Sequence, residues 1–323
     1  MSLLGKIESF TRKYLFWTPY YSRKVGIITS ELPEIYNAYG KRLHVFFISD
    51  REFAHGPYYR TNPRYILWDR YNYALKTHFY THYEAFNLIG RPDKRFAILN
   101  ESKAVSNACY RKYLRERKYF ENEFNYVFTF DEEILDKIAN SKLVPFGAGF
   151  NYGEISPDNY KYKDKNISIL ASNKHSARLH VIRQETARYC LRNKLADTFG
   201  NFKGGDGVYV PIELPFKRYR YSIVIENYLS AYYFTEKIFN CFISQTIPVY
   251  LGASRIHEFF NPDGIITLSL DDINHNLEKV LTQCTPEEYE RRLPAVLDNY
   301  ERAKEFANIY DYMFAKHLKT LYE

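Results

Sequence analysis

The sequence predicts an α/β protein of two domains built on parallel sheets, and three observations carry that prediction. Short apolar runs, continuous and not alternating, recur between polar or helical stretches, as buried strands of a parallel layer do. The 323 residues are 46% hydrophobic with turn residues spread throughout, enough for two cores. A polar stretch, "NYGEISPDNYKYKDKN" (151–166), separates two series of such runs.

In the first series, "KVGIITS" (24–30), "LHVFFIS" (43–49), "RYILWD" (64–69), "RFAILNES" (95–102) and "YVFTFD" (126–131) read as buried strands. The second resumes at "ISILASN" (167–173), followed by a helix near 177–195 and a glycine-rich loop, "GNFKGGDG" (200–207). The strand "YSIVIEN", the helix "EKIFNCFIS" and the strand "IPVYLGA" (247–253) come next, and the charged C-terminal stretch carries apolar residues at helical spacing. The expected division is an N-terminal domain over 1–155, a second over 156–300, and a helix over 301–323 packing back on the first.

Charge and cysteine usage exclude several classes. A net charge of +7, with both signs interspersed, favours small anions over a nucleic-acid surface, and no basic stripe is present. Cys109, Cys190, Cys241 and Cys284 lie far apart with no paired spacing, so neither a disulfide framework nor a zinc site is indicated. The N-terminal "MSLLGKIESFTRKYLFWTPYYSRK" holds no apolar stretch long enough for a signal core or a span, so a soluble cytoplasmic protein is expected. Its 32 tyrosines and 24 phenylalanines, interleaved with aliphatics, fit core packing better than base stacking.

The stretch "IVIENYLSAYYFTEKIFNCF" (223–242) concentrates the chemistry. A run that is apolar up to Glu226 and Asn227 reads as a doubly covered strand whose polar groups sit at its carboxyl end, where ligands of open α/β sheets bind. Thr235 can cap a helix starting at Glu236, with Ile238, Phe239, Phe242 and Ile243 as its buried stripe. Lys237 in the first turn is disfavoured by the helix dipole unless an anion binds there. A diphosphate would reverse the sign, while Glu236 could accept from the sugar hydroxyls of a nucleotide.

The segment "YRYSIVIENYLSAYYFTEKIFNCFISQTIPVYLGAS" (219–254) resembles the signature of the α1,3/α1,4-fucosyltransferases, glycosyltransferase family 10. Further similar elements follow the family's order: "NES" (100–102), "FNYVFTFDEEI" (124–134), "VPFG" (144–147) and "SNKHSAR" (172–178), so the resemblance covers roughly 95–270. Tyr228 stands where the family usually has Ser, and "TFDEEIL" lacks the Arg-rich run of animal members.

The resemblance implies a GT-B fold, two Rossmann-like domains facing across a cleft, and an inverting transfer of fucose from GDP-fucose to a glycan hydroxyl, in the α1,3 manner. It implies Arg178 and Lys237 on the diphosphate, Glu236 on the ribose, and Tyr233, Asn227 and Glu226 around nucleotide and sugar. Glu101 would be the general base. No cofactor beyond the donor is expected, and no catalytic metal. The expected partners are the nucleotide sugar and a glycan acceptor, with peripheral membrane contact and oligomeric state left open. The alternatives are a transferase using another nucleotide sugar, or a non-catalytic nucleotide- or glycan-binding protein on the same fold. Outside this constellation, His78 and His82 in "HFYTH" are spaced to share a helix face, with packing favoured over metal binding. The glycine-rich loop lacks the phosphate-loop ending and is expected to wall the donor site. Asp271 and Asp272 read as a helix start.

Overall fold

The computed structural model describes residues 42–48, 63–69, 74–147, 156–202, 211 and 213–322. The strand expected at 24–30 and most of the glycine-rich loop lie outside the described residues. The chain divides into two compact units, one of 1–100, 108–144 and 308–323, the other of 101–107 and 145–307. The composition had suggested breaks near 155 and 300. The short segment from Glu101 to Asn107 belongs with the second unit.

The first unit holds a six-stranded sheet in the order β2-β1-β3-β4-β5-β6. Its strands are β1 (Leu43–Ile48), β2 (Ile66–Asp69), β3 (Thr77–Thr81), β4 (Lys94–Leu99), β5 (Tyr126–Thr129) and β6 (Ser141–Leu143), paired in parallel throughout. Parallel strands are covered on both faces, which is why "VFF" in β1 and "FAIL" in β4 are continuously apolar and buried. Helices α1 (Lys103–Arg115), α2 (Arg117–Glu123) and α3 (Glu132–Lys137) return the chain between strands. Tyr110, Tyr113 and Phe120 pack there with Tyr80, Leu99 and Val127. The C-terminal segment joins this unit: the Asp311 carboxylate accepts from Arg64 N and Nε, and Thr77 Oγ1 bonds Tyr322 Oη at 2.8 Å.

β3 corrects the reading of "HFYTH" as a helical pair. All five of its residues are buried, so alternation sends His78 and Tyr80 to one face and Phe79 to the other. His78 Nδ1 bonds the Tyr80 hydroxyl at 2.8 Å, while His82 opens a short 3₁₀ turn at φ +42°. The two imidazoles therefore share no helix face.

The second unit holds a five-stranded parallel sheet in the order β11-β10-β9-β7-β8. The strands are β7 (Lys165–Leu170), β8 (Asp197–Phe199), β9 (Tyr219–Ile225), β10 (Ile247–Leu251) and β11 (Ile266–Thr267). From β7 the chain steps to one edge through α4 (Arg178–Asn193). From β9 it steps the other way through α5 (Glu236–Ile243) and, past β11, reaches α6 (Leu277–Leu281) and α7 (Pro286–Ala303). β7 and β9 are neighbours, so the winding reverses between them, and ligand crevices open beyond strand ends at such a point. One core cluster joins Ile169, Ile223 and Val249 of the sheet to Leu179, Ala187 and Cys190 of α4 and to Tyr289 of α7. Phe234, Phe239, Phe242, Phe260 and Phe306 form an aromatic cluster, with Phe242 and Phe260 centroids 4.4 Å apart.

Candidate functional site

A cavity of about 330 Å³ lies at the winding reversal. Its wall takes Leu170, Ala171 and Ser172 from the end of β7, Ile225 and Asn227 from the end of β9, His180 and Arg183 from α4, and Glu236 and Lys237 from α5. Gly200, just past β8, completes the β7 side at φ +101°, where a Cβ would run into the Ala171 carbonyl. Only glycine suits both constraints.

The junction of β9 and α5 is fixed by a buried carboxylate. Glu226 is fully buried, and its two oxygens accept from Thr235 N at 2.9 Å and Thr235 Oγ1 at 2.8 Å. Thr235 is the N-cap of α5, as its place before Glu236 predicts, and its Oγ1 accepts from Lys237 Nζ at 2.8 Å. Lys237 Nζ also donates to Glu236 Oε1 at 3.0 Å and lies 3.4 Å from Glu226 Oε2. Burial opposes the charge on Lys237, yet Glu236 and Glu226 outweigh it and raise the ammonium's pKa. Burial likewise opposes ionisation of Glu236, and Lys237 overcomes it, holding that carboxyl below its usual range. Gly147 of "VPFG" packs against this junction, since a Cβ there would meet the Phe234 carbonyl at 2.5 Å.

Of the residues singled out from the sequence, Glu236, Lys237 and Asn227 lie on the cavity wall. Glu226 stands behind the wall as the clamp of the strand-to-helix turn. Tyr233 is buried; burial raises its phenol pKa, the charges of Glu226, Glu236 and Glu101 add to this, and a hydrogen bond from Asn227 opposes it. Glu101 is half-buried within the second unit's share of the chain, close enough for its charge to reach Tyr233, and its Oε1 accepts from Ser102 N at 2.9 Å. Arg178 is exposed at the first position of α4 and is absent from the cavity wall.

The guanidinium on the wall is Arg183, only 7% exposed, with Nε and Nη2 buried and without a hydrogen-bond partner among the described residues. Burial lowers its pKa, and Glu226, Glu236 and Tyr233 counter part of that effect. A guanidinium does not give up its proton, so a charge with unmet donors stays in the wall. Asn227 Oδ1 is a buried acceptor, likewise without a partner among the described residues. The sequence held a signal for Arg183: it sits in the stripe Leu179, Arg183, Ala187, Cys190, whose other members are apolar and buried, and a charge in such a stripe needs a reason. Among the described residues no three His, Cys, Asp or Glu side chains gather as a metal site would require. No described helix is long and apolar enough to cross a membrane.

Residues 160–319 match the family model for glycosyltransferase family 10 (fucosyltransferase), C-terminal part. Similar solved structures include an alpha1,3-fucosyltransferase with GDP, at 15% identity over 92% of this chain and 96% of that one, TM-score 0.52. Another is an alpha1,3-fucosyltransferase with GDP-fucose, at 17% identity over 85% and 91%, TM-score 0.51. Anabaena Alr3699/HepE in complex with UDP-glucose is 9% identical over 76% and 79%, TM-score 0.51. No curated protein matches by sequence. At these identities the structural likeness carries the fold alone, and the assignment rests on the family match together with the signature segment inside it. Through residues 160–319 the chain belongs to glycosyltransferase family 10, the fucosyltransferases, and it is a glycosyltransferase of GT-B fold.

Proposed function

We propose that the protein transfers fucose from GDP-fucose to a hydroxyl of a glycan acceptor with inversion, forming an α1,3 linkage. The observation that carries this reading is Arg183: a buried, unpaired guanidinium beside Lys237 in a cavity at the winding reversal, which an anionic diphosphate would neutralise. The orphan acceptor Asn227 Oδ1 in the same wall suits a hydroxyl or an N–H of the same ligand. The solved relatives bound to GDP and GDP-fucose support the choice of nucleotide.

In this reading Arg183 takes the diphosphate role that motif position gave to Arg178. Lys237 faces the same group, and Glu236 the ribose. Glu226 acts indirectly, by holding Thr235 and so the start of α5. The acceptor oxygen attacks the anomeric carbon as the bond to the diphosphate breaks, and Glu101 takes the acceptor's proton. Negative charge grows on the leaving diphosphate, so fixed cations stabilise the transition state more than the bound donor. Tyr233, kept protonated by burial and neighbouring carboxylates, offers a neutral phenol beside the same site.

A thermal-shift panel of GDP, UDP, CMP and their sugars tests the reading. A ligand at a hundredfold its Kd adds about 2.7 kcal/mol of apparent stability. GDP and GDP-fucose should shift the midpoint alone, with fucose transfer following in a glycan acceptor screen. A shift with UDP only would move the enzyme to another donor, and GDP binding without turnover of any donor would make it a non-catalytic binder.

A further inference from the structure

The cavity wall holds a histidine with one ring nitrogen already committed. His180, the third residue of α4, is 7% exposed, and its Nδ1 accepts the Ala177 backbone N–H at 3.2 Å, closing the start of the helix on itself. A backbone amide can only donate, so Nδ1 carries no proton and the neutral ring holds its hydrogen on Nε2. No described residue accepts from Nε2, and the ring lines the same cavity as Arg183, Lys174 and Lys237.

We propose that His180 donates a hydrogen bond from Nε2 to the diphosphate of the bound nucleotide, as a neutral imidazole held in one tautomer by the start of α4. The inference rests on the reading of the cavity as a nucleoside diphosphate site and adds a contact to it. Burial, together with the charges of Arg183, Lys237, Lys174 and His175, pulls the imidazole down to about 4, so the ring is neutral across the physiological range. A neutral donor suits this place, because it adds a bond to phosphate without adding a further cation to three already there.

Two variants separate the ring's two jobs. In His180→Asn the amide oxygen stands where Nδ1 stands and keeps the bond to Ala177, while nothing replaces Nε2. In His180→Gln the amide nitrogen reaches the Nε2 position and the bond to Ala177 is lost. GDP and guanosine are titrated calorimetrically into the wild-type protein and both variants. His180→Asn should lose GDP affinity roughly ten- to a hundredfold, as for a bond to a charged group, and keep its guanosine affinity. His180→Gln should keep GDP affinity with a lower thermal midpoint. The inference is overturned if His180→Asn binds GDP like wild type, if it loses guanosine in the same proportion, or if both variants lose GDP equally. Should His180→Asn fail to fold, His180→Gln decides alone: retained GDP affinity supports the contact and lost affinity removes it. Wild-type protein that ignores GDP would fail the nucleotide reading itself, and that result is read before any variant.

Discussion

The two ends of the second sheet each bury a basic side chain, and they treat it differently. At the amino end Lys163 is 6% exposed, and its Nζ donates to the Phe216 carbonyl at 3.1 Å and to Thr246 Oγ1 at 2.8 Å. Around it Asn159 and Gln245 bond backbone carbonyls of Lys217, Ser244 and Pro157, a polar network satisfied from within the fold. At the carboxyl end Arg183 is as deeply buried, and among the described residues two of its nitrogens have no hydrogen-bond partner. Burial penalises both charges, but only one end leaves donors for a ligand. The satisfied amine holds strands together, whereas the guanidinium with unmet donors marks the binding site.

The largest effect expected at the carboxyl end is on chemistry. Glu101→Gln should lower fucose transfer about a hundred- to ten-thousand-fold while GDP affinity stays at the wild-type value, measured by initial rates beside calorimetry. Unchanged transfer would remove Glu101 as the base. Thr235→Ala removes the cap of α5 and one of the bonds to Glu226, so it should destabilise the fold by about 2 kcal/mol in urea unfolding and weaken GDP binding.

At the amino end the expected effect is a pH dependence. Burial puts the folded-state pKa of Lys163 well below the ordinary lysine value, so below that ordinary value the unfolded chain binds more protons than the folded one. Stability therefore rises with pH up to the unfolded lysine pKa, by at most about 1.4 kcal/mol per pH unit from this group. Lys163→Met should flatten that slope between pH 8 and 10 relative to wild type, since Thr246 Oγ1 still bonds the Phe216 and Tyr219 carbonyls. Equal slopes would mean the buried amine is not what titrates. The smallest effect belongs to Arg178→Ala, at an exposed position off the cavity, where GDP affinity should not change and stability should move by less than about 0.5 kcal/mol.

What could be read from the sequence was local. The strand ending at Ile225, the Thr235 cap and the buried stripe of Ile238, Phe239, Phe242 and Ile243 all follow from neighbours in sequence, and each stands where its residues predict. β3 was not legible, because "THFYTHYEAF" offers helical and extended spacing at once and only its place inside the sheet decides. Arg178 and Arg183 are five residues apart on one helix, so the choice between them is one of rotation: the first points out at the helix start, and the second falls in the buried stripe. That Arg183 lacks partners depends on what the rest of the fold withholds from it, which no local pattern records. Glu226 illustrates the same limit, since its carboxylate is spent on Thr235 nine residues away.

Titration of GDP into Arg183→Met tests the central claim most directly. Methionine keeps the packing of the arginine stem and removes the unpaired guanidinium, so the apo protein should be as stable as wild type or more so. GDP affinity should fall roughly a hundredfold, for the loss of a charged, forked donor on phosphate. A variant that unfolds at the wild-type midpoint and binds GDP with the wild-type Kd would contradict the account.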